Sequence, residues 1–426
     1  MNLSSSLTYL DLRATNIRGK LPNDVFQLPK MRVLALGANT YLTGSLPEFN
    51  CTNKSPLLQQ LDLSLTIFTG EIPESIGCLK SINLLNFASC QLYGHLPTNL
   101  SKLVQLKALD LSDNKLEGQI PDSFTNLHQL TYLSLSDNNL DGFFSPSIAN
   151  LTELKALDLG SNSMTGNLPS NASGLQKLIY LSLSSNSFSG TIPSWLFRDP
   201  KFGLLDPPQN PFTGLMDPLQ LIMEYMIKGK VIDLSNNKLD GSIPKSSISM
   251  LRNLVVLDLS SNNLSGIVET NMFSNLKRLS SIVLSNNRLL WRTDNNVNLS
   301  FPNLWELGLS SCGISEFPDF LKNSKDLGYL ELSNNNIHQL PSWFTSMPWD
   351  SLFYLNLSYN SLSSLVPLRW KSLNILDFRF NQLQGPLPLS ICNLEELGIL
   401  DLSNNKFTGA IPKCFGNFSS QLEVLD

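Results

Sequence analysis

The segment Leu106 to Pro121 reads LKALDLSDNKLEGQIP. It returns as LTYLSLSDNNLDGFF from Leu130, as LKALDLGSNSMTGNLP from Leu154 and as LIYLSLSSNSFSGTIP from Leu178, each 24 residues further on. Set against the pattern LxxLxLxxNxLxGxIP, the chain holds seventeen copies, beginning at Leu7, Met31, Leu58, Ile82, Leu106, Leu130, Leu154, Leu178, Phe202, Gly229, Leu254, Leu279, Leu304, Leu327, Leu352, Leu373 and Leu397. An eighteenth starts at Leu422 and stops at Asp426, and successive copies lie 21 to 27 residues apart. Self-similarity at a period of this size marks an architecture of stacked repeats.

Each position of the pattern has a physical reason. The LxL pair alternates with period two, which predicts a short strand with leucines inward and the intervening residues outward. Position nine is Asn in most copies, among them Asn39, Asn114, Asn138, Asn162 and Asn186. A buried amide there can satisfy backbone groups of the tight turn and of the neighbouring coil. The Gly four residues later, as at Gly118, Gly166, Gly190 and Gly241, permits a close or left-handed bend. The Ile-Pro or Leu-Pro pair then steers the chain into an extended return path. One coil cannot cover its own leucines, so neighbours must supply the contacts and the array grows in one dimension. Strands about 4.8 Å apart would give seventeen coils a sheet on the order of 80 Å long. The expected architecture is one α/β-type repeat solenoid over residues 1–426, with about seventeen complete repeats over 7–421 and the start of another over 422–426. It should be a right-handed superhelix with a parallel sheet on its concave face and irregular or 3-10 segments on its convex side.

Composition narrows the function. Charged residues are only 15% of the chain and the net charge is −5, which is mild and of the wrong sign for nucleic acid. The three histidines, His95, His128 and His338, are scattered, which argues against a metal site and against most acid–base catalysis. No GxxxxGK[ST], GxGxxG, HExxH or GxSxG motif occurs, and kinase signatures are absent. Outward strand positions carry a column of acids: Asp11, Asp62, Asp110, Asp158, Asp206, Asp233, Asp258, Glu331, Asp377 and Asp401. Paired carboxylates can hydrolyse glycosides. This column, however, recurs with the repeat and reads as an ordinary solvated face, so no enzyme, cofactor or metal is expected. No apolar run reaches the ~18–20 residues that cross a bilayer, and Met1 to Lys20 lacks the plan of a signal peptide. Among six cysteines there is no CxxC pair. Cys51 and Cys78 fall at similar phases of adjacent copies, consistent either with a disulfide or with two small buried apolar side chains.

Some copies depart from the pattern. Thr15, Thr66, Cys90 and Cys312 replace the position-nine Asn and read as small structural substitutes. The copies from Leu279, Leu304, Leu327 and Leu352 lack the Gly-x-Ile-Pro tail, and Glu316, Gln339 and Ser364 take the Gly position. A different return path is expected there. The stretches FRDPKFGLLDPPQNPFTG and LIMEYMIKGKVIDL read as degenerate repeats rather than as a domain boundary.

The extension LxGxIP, as in NKLEGQIP at Asn114 to Pro121 and NKLDGSIP at Asn237 to Pro244, resembles the plant-specific class of leucine-rich repeat. Phrases such as NILDFRFNQLQGPLPLSICNL from Asn374 resemble plant receptor-like proteins, the kinase-less membrane receptors of immunity and development. That resemblance implies a signal peptide, an N-terminal cap with a disulfide, a late non-repeat island, a C-terminal cap and one membrane helix. None is read in this chain, which is expected to be a fragment with uncapped ends and poor solubility alone. For the parent, the resemblance implies a glycoprotein on the extracellular side of the plasma membrane. It would bind an extracellular peptide, protein or small elicitor and signal in defence or development through a partner receptor kinase or co-receptor. A secreted inhibitor of the polygalacturonase-inhibiting type and a receptor-kinase ectodomain are the alternative readings.

The candidate ligand site lies where outward positions stop being ordinary. In the copies from Leu304 to Leu373 they include Trp305, Glu306, Tyr329, Glu331, Phe353, Tyr354, Tyr359, Arg379 and Phe380. Aromatics with an Arg and acids on adjacent strands suit a binding hot spot, although exposed aromatics can also merely cover a strand ladder. Alanine at Trp305, Tyr354 and Arg379 is expected to abolish binding and leave thermal stability nearly unchanged. Of the N-x-S/T sequons, Asn50, Asn99, Asn150, Asn171, Asn263, Asn298 and Asn417 are glycosylation candidates, whereas Asn356 falls inside a strand, where a glycan would block the face.

Overall fold

The LxL segments form three-residue strands paired in parallel, one repeat to the next. Leu109 is in register with Leu133, Leu133 with Leu157 and Leu157 with Leu181. The structure is a computed structural model. It describes residues 6–51, 57–193, 195, 204–206, 209–215, 231–243, 245–249, 251–293, 300–365, 367–368, 370–416, 422 and 424–425. The chain divides into two compact units, Met1–Thr213 and Gly214–Asp426. In the first, the strands run from Tyr9–Asp11 through Ala108–Asp110 to Leu204–Asp206; in the second, from Val231–Asp233 through Tyr329–Glu331 to Val424–Leu425. This is a leucine-rich-repeat solenoid.

Inward side chains of the strands are buried, as Leu109 and Leu111, or Leu355 and Leu357, illustrate, whereas Leu10 and Leu12 of the first strand are half-buried. The position-nine amide closes the turn and links coils. Asn138 Nδ2 donates to Leu111 O (2.9 Å) in the preceding coil and to Leu135 O (3.2 Å) and Ser136 O (3.0 Å) in its own, while its Oδ1 accepts from Leu116 N (3.0 Å). The substitutes keep part of this pattern: Thr66 Oγ1 donates to Leu63 O (2.6 Å), and Cys90 Sγ to Leu63 O (3.2 Å).

After the Asn the chain does more than run extended, as the sequence alone suggested. In the first unit Arg18–Lys20, Tyr41–Gly44, Ile67–Glu71, Gln91–His95, Lys115–Gly118 and Asn139–Leu140 make a second, lateral parallel sheet of six strands. Gly118 closes one of these strands at φ +75°, where a Cβ would also strike the His95 ring. Proline then turns the chain into a 3-10 helix: Pro121 sits at φ −63°, ψ 136°, and Asp122–Asn126 follows with Phe124 buried. Among the described residues, three returns are short α-helices instead, Pro146–Ala149, Lys245–Ile248 and Ser342–Ser346. Among the tail-less copies, those from Leu304, Leu327 and Leu352 form no lateral strand among the described residues. The copy from Leu279 still does, with Arg288–Arg292 paired to Ser265–Glu269. Aromatic residues fill the coil interior, among them Phe344, which packs on Trp349 and Trp370 in the second unit.

Candidate functional site

The acid column is structural as well as wet. Asp110 is half-buried; its Oδ1 accepts from Ser112 N (3.1 Å) and Ser112 Oγ (2.6 Å), and Asp258 and Asp401 repeat the arrangement. The simple solvated face expected from the sequence is corrected accordingly. Burial pushes the Asp158, Asp258 and Asp377 carboxyls above their ordinary value, against the pull of these hydrogen bonds.

The nine candidate residues all lie on the second unit and gather into two aromatic groups. At the start of the strands, Trp305 and Phe353 stack across an intervening coil, with centroids 6.2 Å apart and planes 26° apart. The two coils are joined by a backbone relay through that coil, in which Gly328 N donates to Trp305 O (2.8 Å) and Phe353 N donates to Gly328 O (2.9 Å). Tyr329 and Tyr354 lie face to face, 4.0 Å apart and 5° from parallel, and Tyr329 is 6.4 Å from Phe353. Glu331 sits beneath them. Its Oε2 accepts from Tyr354 Oη (3.1 Å) and Asn356 Nδ2 (2.9 Å), and its Oε1 from Ser333 N (2.8 Å). Burial, and then the Glu331 charge, push the Tyr354 phenol far above its ordinary range, so it stays a neutral donor. Glu306 Oε2 accepts from Ser281 Oγ (2.6 Å).

At the other end of the strands, Tyr359 and Phe380 stack 4.4 Å apart, 12° from parallel. Arg379 lies 6.0 Å over the Tyr359 ring and is held by Asp377 (3.3 Å) and Asp401 (3.5 Å). Tyr359 and Phe380 occupy a position that is left-handed in every described coil, with φ 53° and 52°. Most other coils place small or polar residues there, such as Asp113, Ser161 and Asn404, with Leu65 as an exception. A bulky aromatic at positive φ is unfavourable, and such local strain concentrates at functional surfaces. Trp305, Phe353, Tyr359 and Phe380 remain 45%, 37%, 46% and 41% exposed, enough for all four rings to meet a ligand.

Tyr354 is half-buried, stacked and hydrogen-bonded, so the expectation that its alanine variant would spare stability is corrected. Sequence reasoning also missed Gly328, Ser281 and Asn356 as supports of the site. The signal for Gly328 was present: at position two, the copies from Leu304, Leu327 and Leu352 read Trp305, Gly328, Phe353. Away from this face, Cys51 and Cys78 are joined by a disulfide, with Cα atoms 5.2 Å apart. A second disulfide, Cys392–Cys414, was not anticipated. Of the sequon residues, Asn50, Asn150, Asn171 and Asn263 are exposed, Asn99 is half-buried and Asn356 is buried; Asn298 and Asn417 lie outside the described residues. Among the described residues, no cluster of His, Cys, Asp or Glu could hold a metal ion, and no helix is long and apolar enough to cross a membrane.

Two leucine-rich-repeat family models match the chain, one over residues 96–140 and 230–289, the other over 177–198, 326–347, 372–394 and 396–418. Receptor-like protein 35 of Arabidopsis thaliana is 37% identical over 134 residues, covering 29% of this chain and 14% of the relative. Receptor-like protein 53 of the same plant is 40% identical over 123 residues, covering 28% and 13%. The matched stretches thus span about a seventh of those relatives' length. Among solved structures, the ectodomain of the Arabidopsis receptor kinase GASSHO1/SCHENGEN3, in complex with CASPARIAN STRIP INTEGRITY FACTOR 2, superposes with TM-score 0.75 at 27% identity, covering 98% of this chain and 55% of that one. The Arabidopsis HAESA ectodomain, in complex with an IDA peptide hormone, gives 0.75 at 28% identity, covering 96% and 67%.

Proposed function

We propose, from the premise that this chain is a leucine-rich-repeat protein of the plant receptor-like kind, that it is the ligand-recognition part of a cell-surface receptor. Its outward strand face binds an extracellular peptide, protein or small elicitor without catalysis, and a partner receptor kinase carries the signal inward. Residues 1–426 act in this reading as one continuous array.

The observation that carries the proposal is the second unit's pair of exposed aromatic stacks, flanking a polar row of Glu331, Asn356, Asp377, Arg379 and Asp401. Rigid aromatics and an Arg on one face supply contact area at low entropic cost, which is how binding hot spots are built. Two disulfides suit an oxidising, extracellular setting, and four exposed sequons suit glycosylation.

The test is titration of the full chain with the peptide fraction of plant extracellular fluid, followed by calorimetry. Saturable binding should be lost in the Trp305→Ala/Arg379→Ala variant and kept in Tyr93→Ala, which alters an exposed ring on the first unit's lateral sheet. Equal binding by both variants would reject this surface. Extending the transcript in both directions separates a receptor-like protein (a membrane helix and short tail) from an inhibitor (a stop codon) and from a receptor kinase.

A further inference from the structure

We infer that Trp305, Gly328 and Phe353, with Glu306 and Glu331 beside them, form a subsite for the cationic side chain of an arginine or lysine in a peptide ligand, and that Gly328 sets the shape of the subsite. The inference rests on the reading of this face as the recognition surface, and it adds a ligand chemistry to that reading.

Gly328 comes first. Its φ is not in the left-handed region, so the backbone does not require glycine there, and glycine beside a strand is otherwise unfavourable. What the missing side chain provides is space. A Cβ at this position would stand 2.5 Å from Trp305 Nε1 and 2.8 Å from Cε2. The indole therefore lies across the bare backbone of the next coil and reaches Phe353 two coils away. Any larger residue at 328 would push it off that seat.

Charge then selects the occupant. The eight strands from Val231–Asp233 to Ile399–Asp401, with the two residues after each, carry six carboxylates: Asp233, Asp258, Glu306, Glu331, Asp377 and Asp401. They carry one cation, Arg379, which is already shared by Asp377 and Asp401. Glu306 and Glu331 have no cationic partner among the described residues, and both bear electrostatically on Tyr329, whose ring adjoins Phe353. Open ring faces with negative potential, next to uncompensated carboxylates, attract a cation more than a neutral sugar or an acidic group. A guanidinium stacked on Trp305 would meet both attractions at once.

The full chain labelled with ¹⁵N-tryptophan has six indole N–H groups to report, and Trp305→Phe assigns the relevant one. Three probes are compared: N-acetyl-arginine amide, N-acetyl-citrulline amide (of similar planar shape without the charge) and cellotetraose. The arginine probe should move the Trp305 signal at a concentration at least about tenfold below that needed for citrulline, equivalent to ~1.4 kcal/mol. Glu306→Gln should remove most of that difference. Gly328→Ala should displace the Trp305 signal before any probe is added and weaken the arginine response. If citrulline matches arginine, if cellotetraose alone moves the signal, or if no probe does, the subsite is not cationic and the inference falls. A physiological ligand that binds this face without a cation would sink the inference and leave the recognition reading intact. Arginine capture in a chain that binds no extracellular ligand would do the reverse.

Discussion

Replacing Asn138 by alanine tests the account of what ties coil to coil. The Asn138 amide makes four hydrogen bonds, three donated to carbonyls and one accepted from Leu116 N, and the residue is buried. Alanine removes all four and leaves the Leu116 N–H and the Leu111 carbonyl without that partner in a dry interior. At ~1 kcal/mol net for each buried hydrogen bond, with some relief from shifted neighbours, the loss should be about 3 kcal/mol. Asn138→Thr should lose roughly half as much, because Thr66 shows that a hydroxyl at this phase still reaches the carbonyl three residues back. Amide hydrogen exchange at Leu116 is the best assay, since it reads the local opening of one coil even where an array does not unfold in a single step. The expected order of protection is Asn, then Thr, then Ala, with Ala about 100-fold faster in exchange than wild type. Equal protection at Leu116 in the three proteins would refute the ladder as the source of coil-to-coil cohesion.

Other expectations follow from the same structure. Tyr354→Phe keeps the stack on Tyr329 and loses the bond to Glu331, so it should cost ~1 kcal/mol in urea unfolding, whereas Tyr354→Ala should cost ~3 kcal/mol; equal losses would mean that the stack contributes nothing. Asp258, half-buried, has its carboxyl pushed above the ordinary 3.8 by burial. Its folded form binds the proton more readily than its unfolded form, so its stabilising contribution is full below 3.8 and is lost as pH rises through the folded value. Asp258→Asn should flatten the urea midpoint against pH just above 3.8, and an unchanged profile would contradict the assignment. Denatured, unreduced protein should titrate two thiols, Cys90 and Cys312, and six would exclude both bridges. Reduction should weaken the adjoining coils by about 3.5 kcal/mol per bridge on loop-closure grounds, for sequence separations of 27 and 22 residues, read as faster hydrogen exchange near Cys78 and Cys414.

Much of this molecule could be read from residues alone, and the limits of that reading are physical. Cys51 and Cys78 stand at the same phase of adjacent copies, so their pairing was open to consideration, but burial as free thiols satisfied the pattern equally well. Cys392 and Cys414 sit at different phases of their copies and gave no such hint, yet the local path of the return brings their Cα atoms within 5.8 Å. The nine candidate residues were visible as unusual side chains on an outward phase. Their division into two stacks depends on ring orientation, which no pattern of residue types specifies.

The repeat period, the inward leucines, the position-nine amide and the glycine-proline return were determined by sequence, because each follows from local alternation, hydrogen-bonding capacity or backbone sterics within one coil. Tertiary structure alone decided the lateral sheet, the half-burial of the acid column and the meeting of Trp305 with Phe353 over Gly328. Those features arise from the registration of one coil against the next, where side chains remote in the chain compete for the same few ångströms of surface.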